Sequence, residues 1–196
     1  MSKIIVVENV SLDGVMQSPG RPDEDTRGGF QRGGWASEWL SRDPEAARAS
    51  MEGQGRTRGL LFGRRTYLDL VGHWLSAGPN PFAEILTATP KYVASSTLAE
   101  PLPYPSSELL RGPVTEAVAA LKEQDGEGDL VVLGSGMLVR ALAAGDLVDE
   151  YVLTVIPVVL GGGTRLFGDT YTPLEVARSV TSPTGVVTGT YRVRRD

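Results

Sequence analysis

Asp129-Leu-Val-Val-Leu133 runs directly into Gly134-Ser-Gly136, and this junction constrains the fold more than any other stretch of the chain. A short continuous apolar run rich in β-branched residues suits a parallel strand buried on both faces. The glycines permit a tight turn, and Met137 to Ala144 reads as the following helix, stopped by Gly145. The same unit occurs upstream, where Gly59-Leu-Leu-Phe-Gly63 reads as a strand and Arg64-Arg-Thr-Tyr67 opens a helix running to about Trp74. Strand-to-helix units of this kind build parallel sheets.

The remaining segments extend the pattern. Ile4 to Val7 is a first buried strand, Lys91 to Ser95 a third, and Ser107 to Leu110 a short one. Gln17 to Gly34 is rich in glycine, proline and charge, the composition of a lid or binding loop. Trp35 to about Met51 has helical periodicity, with Pro44 dividing it into two pieces. Phe82 to Leu86 forms one further turn, Pro101 to Pro105 is loop, and Pro113 suits the first position of a helix reaching Lys122. Val148 to Val159 is β-rich. Leu174 to Val180 and Val186 to Arg194 are strands joined by Pro183-Thr-Gly185. Alternation followed by a strand-only tail predicts an α/β fold, with a mostly parallel central sheet, helices on both faces and antiparallel C-terminal strands. Residues 1–196 are expected to form a single domain.

Composition excludes several classes of function. A net charge of -5 argues against nucleic acid or an anionic membrane as the main partner. There is no cysteine, so disulfide and thiol chemistry are absent. His73 is the single histidine, which argues against a transition-metal site, and none is expected. The apolar run at the N-terminus is too short for a signal peptide or a membrane span, so a cytoplasmic location is expected.

The two glycine turns are the candidate ligand site. Free backbone N–H groups at a helix start, with the helix dipole, favour a phosphate. Gly63-Arg-Arg-Thr66 adds a hydroxyl and two planar cations suited to a phosphomonoester, while Gly134-Ser-Gly136 suits a pyrophosphate. In a parallel sheet both lie at the carboxyl edge, where ligands of open α/β sheets bind. Ser95-Ser-Thr97 ends another strand there, and its hydroxyls could complete a 2′-phosphate pocket selecting NADP over NAD. Each turn taken alone is equally consistent with a ligand-free strand–helix connection. A Rossmann glycine fingerprint is missing.

Taken together, Val10-Ser-Leu-Asp-Gly14, Gly63-Arg-Arg-Thr-Tyr67, Gly134-Ser-Gly-Met-Leu-Val-Arg-Ala-Leu142 and Pro157-Val-Val-Leu-Gly-Gly-Gly-Thr-Arg-Leu-Phe167 make a specific pattern. It resembles the dihydrofolate-reductase superfamily, in particular the reductase domain of the bacterial bifunctional riboflavin deaminase-reductases and its stand-alone relatives. The resemblance implies a dihydrofolate-reductase-like three-layer sandwich, NADPH as cofactor, a small-molecule substrate and a homodimer, the last through the apolar strand near Val152 to Val159. It implies that Arg64 meets the 2′-phosphate, that Arg65 and Thr66 lie nearer the pyrophosphate, and that Ser95 and Ser96 are adenosine-side hydroxyls. Gly134, Ser135, Gly136, Met137 and Leu138 would cover the pyrophosphate and nicotinamide ribose. Asn9 and Val10 would offer backbone groups to the carboxamide, with Met16 beside the nicotinamide.

Folate-reducing members keep a carboxylate on the helix after the lid loop. Here that helix offers Glu38, Asp43, Glu45 and Glu52, none placed there by spacing, so folate is not the expected substrate. Asp13 is the candidate acid near the nicotinamide, with an Asp-Gly turn as its plainer role. Glu8 points either into the sheet interior or toward helix packing. Trp35, Trp39 and Trp74 either wall an aromatic substrate or fill the core. Three functional readings follow: an NADPH-dependent reductase, a non-catalytic nucleotide-binding module of the same fold, or a flavin- or deazaflavin-using reductase.

Overall fold

In the computed structural model of the chain, residues 2–51, 56–124 and 126–195 are described. Glu52 lies outside them. The strands are β1 (Ile4–Ser11), β2 (Thr57–Gly63), β3 (Lys91–Ala94), β4 (Ser107–Leu110), β5 (Asp129–Leu133), β6 (Glu150–Ile156), β7 (Leu174–Thr181) and β8 (Val187–Val193). They form an 8-stranded sheet in the order β4-β3-β2-β5-β1-β6-β8-β7. β2 pairs in parallel with β3 and β5, and β3 with β4, whereas β8 pairs antiparallel with β6 and β7. This is the mostly parallel sheet with an antiparallel end that the alternation predicts. The helices are α1 (Trp35–Leu40), α2 (Pro44–Met51), α3 (Arg64–Thr66), α4 (Gly72–Ser76), α5 (Pro81–Ala88), α6 (Val114–Glu123) and α7 (Gly136–Ala144).

The chain groups into two compact units, Met1–Ile5 with Gly55–Val148 and Val6–Gln54 with Asp149–Asp196. In the first unit, β2 and β5 are buried on both faces: Leu60, Leu61, Phe62, Leu130, Val131 and Val132 are at most 3% exposed. The helix after β2 extends past Trp74 to Ser76 and carries a π-helical turn, Tyr67–Val71, between α3 and α4. Beside it the Tyr104 hydroxyl donates to the Leu68 carbonyl at 3.2 Å.

Two more helix boundaries differ from the sequence reading. α5 has 8 residues where one turn is expected, because Asn80 caps it by accepting the Ala83 amide at 2.9 Å and Pro81 follows at the first helical position. Pro113 stands one step earlier than expected, at the N-cap of α6 with extended backbone (φ -60°, ψ 126°).

In the second unit, β1 continues to Ser11, past the expected end at Val7, because the polar Glu8 and Asn9 stay in the strand. Pro44 does divide the helical segment, and Asp43 fastens the break: it accepts the Ala46 amide at 2.9 Å and the Thr184 hydroxyl of the β7–β8 turn. A cluster of Val15, Phe30, Trp35, Ala36, Ala46, Ile156, Leu160 and Val186 forms this unit's core. The loop from Gln17 to Gly34 is anchored to it through Phe30 and tied internally. The Gln17 side-chain amide donates to the Asp25 and Arg27 carbonyls at 3.0 and 2.9 Å, and the Trp35 indole donates to the Gln17 carbonyl at 2.9 Å.

The apolar stretch Val152 to Val159 begins in β6, which runs between β1 and β8 with Glu150 to Thr154 and Ile156 buried, and it ends beyond the strand at Val159, which is exposed.

Candidate functional site

Three turns of the first unit share one rim. β2 and β3 run parallel with Gly63 opposite Ala94, so Gly63-Arg64 and Ser95-Ser96 leave the sheet side by side. The third turn meets the first directly: the Gly63 amide donates to Ser135 Oγ at 2.9 Å. Gly134 has φ +60°, and a Cβ added there would lie 2.8 Å from Thr66 Cγ2. Glycine is therefore required at 134 twice over, by its left-handed backbone and by the Thr66 methyl.

The helix starts at this rim are open. Neither Gly63 nor Ser135 caps its helix with a side chain, so the first amides of α3 and α7 have no capping partner. Arg64 and Arg65 are exposed, as is Met137 at 81%, whereas Leu138 is 5% exposed and belongs to the core. Ser95 Oγ accepts the Thr97 and Leu98 amides at 3.1 and 3.0 Å, so that hydroxyl closes its own turn, and Ser96 is exposed. The geometry fits a phosphate-bearing ligand: uncapped amides, two exposed guanidinium groups and a glycine that keeps side-chain bulk away. The Gly63 amide is already used by the protein.

The remaining sequence candidates belong to the second unit. Val10 and Met16 are 5% and 9% exposed, and Asn9 is half-buried. Asp13 accepts three hydrogen bonds, from the Ser11 hydroxyl at 2.7 Å, the Leu160 amide at 3.1 Å and the Gly161 amide at 2.9 Å. These donors lower its pKa to about 2, the Ser11 hydroxyl most of all. At neutral pH Asp13 is an ionised anchor for the Gly161-Gly162-Gly163 loop, with no proton to give. Gln17 makes the companion tie, accepting the Thr164 amide at 2.8 Å and its hydroxyl at 3.1 Å. Around these ties lies a cleft of about 690 Å³, lined among others by Gln17, Arg27, Phe30, Arg32, Leu160 and Thr164.

Sequence reasoning left Glu8 undecided and missed its peculiarity. It is 5% exposed, and its Oε1 has no hydrogen-bond partner. Burial raises its pKa well above the ordinary 4.5, and the nearby Glu24 carboxylate raises it further. Polar residues inside a strand give no sign in sequence of which face they take. The tryptophans divide between roles: Trp35 fills the core, Trp39 packs beside it, and Trp74 is 36% exposed, with its ring edge-on to Phe82 at 5.2 Å.

The architecture is that of the dihydrofolate-reductase-like proteins. Superposition on dihydrofolate reductase from Enterococcus faecalis, solved with NADP(H) and RAB-propyl, gives a TM-score of 0.58 at 14% identity, covering 98% of this chain and 97% of that one. A pyrimidine reductase-like protein from Corynebacterium diphtheriae gives 0.57 at 14% identity, covering 100% and 93%. A Shewanella sp. PV-4 protein named for riboflavin biosynthesis gives 0.68 at 28% identity, over 100% of both chains. Within this class the chain belongs to the RibD C-terminal domain family, matched over residues 2–188. It is also 30% identical to the uncharacterized protein YyaP of Bacillus subtilis over 137 residues, 67% of this chain and 70% of that protein. No helix among the described residues is long and apolar enough to cross a membrane.

Proposed function

We propose that this chain is an NADPH-dependent oxidoreductase that reduces a small heterocyclic or carbonyl substrate, working as one domain over residues 1–196. The observation that carries the reading is the joining of two glycine turns at one rim, with the Gly63 amide 2.9 Å from Ser135 Oγ and an uncapped helix start after each glycine. Membership of the RibD C-terminal domain family supports it. In this reading the amides of Gly136, Met137 and Leu138 hold the pyrophosphate and Arg64 meets the 2′-phosphate. Arg65 and Thr66 flank the pyrophosphate, and Ser95 and Ser96 line the adenosine side. Asn9, Val10 and Met16 keep the roles toward the nicotinamide that the family resemblance implies. NADPH supplies the hydride when bound, and the chain's own task is to hold and orient. A cytoplasmic homodimer belongs to the same proposal, by resemblance alone.

The test is a fluorescence titration with NADPH and NADH. NADPH is expected to bind at least about tenfold tighter, since a guanidinium–phosphate bond is charge-assisted. Replacing Arg64 and Arg65 together by alanine should erase most of that preference. Equal affinities in the unmodified protein would refute the adenosine-side assignment. A flavin absorbance band in the purified protein would favour the flavin reading instead.

A further inference from the structure

We propose that Ser135 is a positioning residue whose hydroxyl fastens the two glycine turns into one preassembled cradle, setting dinucleotide affinity without touching the ligand. The inference rests on the cofactor reading above. Ser135 lies in the left-handed region, at φ 64° and ψ 46°, which a residue with a Cβ adopts only at a cost. Glycine would suit that backbone better. What serine contributes is its oxygen, which accepts the Gly63 amide at 2.9 Å across 72 residues of sequence and donates to the Leu133 carbonyl at 3.3 Å.

A second contact runs the opposite way. The Thr66 methyl of the first turn occupies the space that a side chain at Gly134 would need. Each turn therefore sends a side chain onto the backbone of the other. With the Gly63 amide occupied, anion binding falls to the open amides of α7 and to the two arginines. The fastener's part is to hold those groups at a fixed spacing before any ligand arrives, which cuts the ordering cost of binding. A ligand that spans both turns gains from this. A ligand that touches one turn does not.

Ser135→Gly removes the hydroxyl while keeping the backbone conformation comfortable, so the fold should not be lost. Wild type and variant are titrated with NADPH, which spans both turns, and with adenosine 2′-monophosphate, which lacks the pyrophosphate and engages the Arg64 side alone. Exchange of the Gly63 amide is followed without ligand. The variant should bind NADPH about tenfold more weakly, the worth of one hydrogen bond, and the monophosphate within about twofold of wild type. Gly63 exchange should speed up by at least about tenfold. Unchanged NADPH affinity, equal losses for both ligands or unchanged Gly63 exchange would each overturn the proposal. Wild type that fails to bind NADPH, with Gly63 exchange still accelerated in the variant, would overturn the cofactor reading and leave the fastener standing.

Discussion

Glu8→Gln should make this protein more stable at neutral pH, and the gain should vanish in acid. Glu8 is 5% exposed with Oε1 unpartnered, and burial followed by the Glu24 carboxylate raises its pKa well above 4.5. The folded state therefore holds the proton more tightly than the unfolded state. Below the unfolded pKa both states are protonated and Glu8 contributes no pH dependence. As pH rises toward the folded pKa the unfolded chain ionises alone, and stability falls by about 1.4 kcal/mol per pH unit. Above the folded pKa the loss is complete and constant. Glutamine has the same shape and no ionisation, so it removes this fall entirely. In acid the two proteins should differ by no more than about 1 kcal/mol, because each leaves one buried polar atom poorly paired. Urea denaturation followed by tryptophan emission between pH 4 and pH 8 measures the difference directly. A stability difference independent of pH, or a variant less stable than wild type at pH 8, would refute the reasoning.

Two further substitutions test contacts described above. Gly134→Ala should cost about 1–2 kcal/mol, since it combines a left-handed backbone with a Cβ 2.8 Å from Thr66 Cγ2. Adding Thr66→Ser removes that methyl and should recover part of the loss in thermal denaturation; no recovery would mean the clash is not the cause. Lys91→Met should lower the melting temperature by about 4–8 °C, or about 2 kcal/mol. Lys91 is fully buried, and its ammonium group donates to the Leu86 and Thr89 carbonyls at the end of α5, which methionine would leave without that donor. A melting temperature equal to wild type would show that relief of ammonium desolvation offsets the lost bonds.

What could be read from sequence was whatever depends on near neighbours. Leu130 to Leu133 announces a buried strand because four adjacent apolar side chains need cover on both faces. Gly134 and Gly136 announce a turn because few other residues accept that backbone. The fold class followed from the order of such units, as did the rim on which Gly63, Ser95 and Gly134 would gather. Boundaries failed where an unnoticed cap decided them: the length of α5 depends on the Asn80 cap.

The candidate site was legible in its residues and illegible in its wiring. The sequence marks Ser135 as a cofactor contact, and Asp13 as a candidate acid whose plainer role is an Asp-Gly turn. In the structure each spends its side chain on backbone amides of a distant glycine segment: Ser135 on Gly63, and Asp13 on Gly161, 148 residues away. The physical reason is common to both. A glycine-rich turn can approach a ligand closely because it has no side chains, and for the same reason it has nothing of its own to hold it still. Rigidity must then be supplied from elsewhere in the chain, through the amides that are not needed for the ligand. Short polar side chains such as serine and aspartate are suited to that work, because they reach an amide with little entropy to lose. A serine or aspartate found beside a glycine turn thus has two candidate duties, ligand contact and turn support. Only the identity of the amide it meets, which is a long-range fact, decides between them.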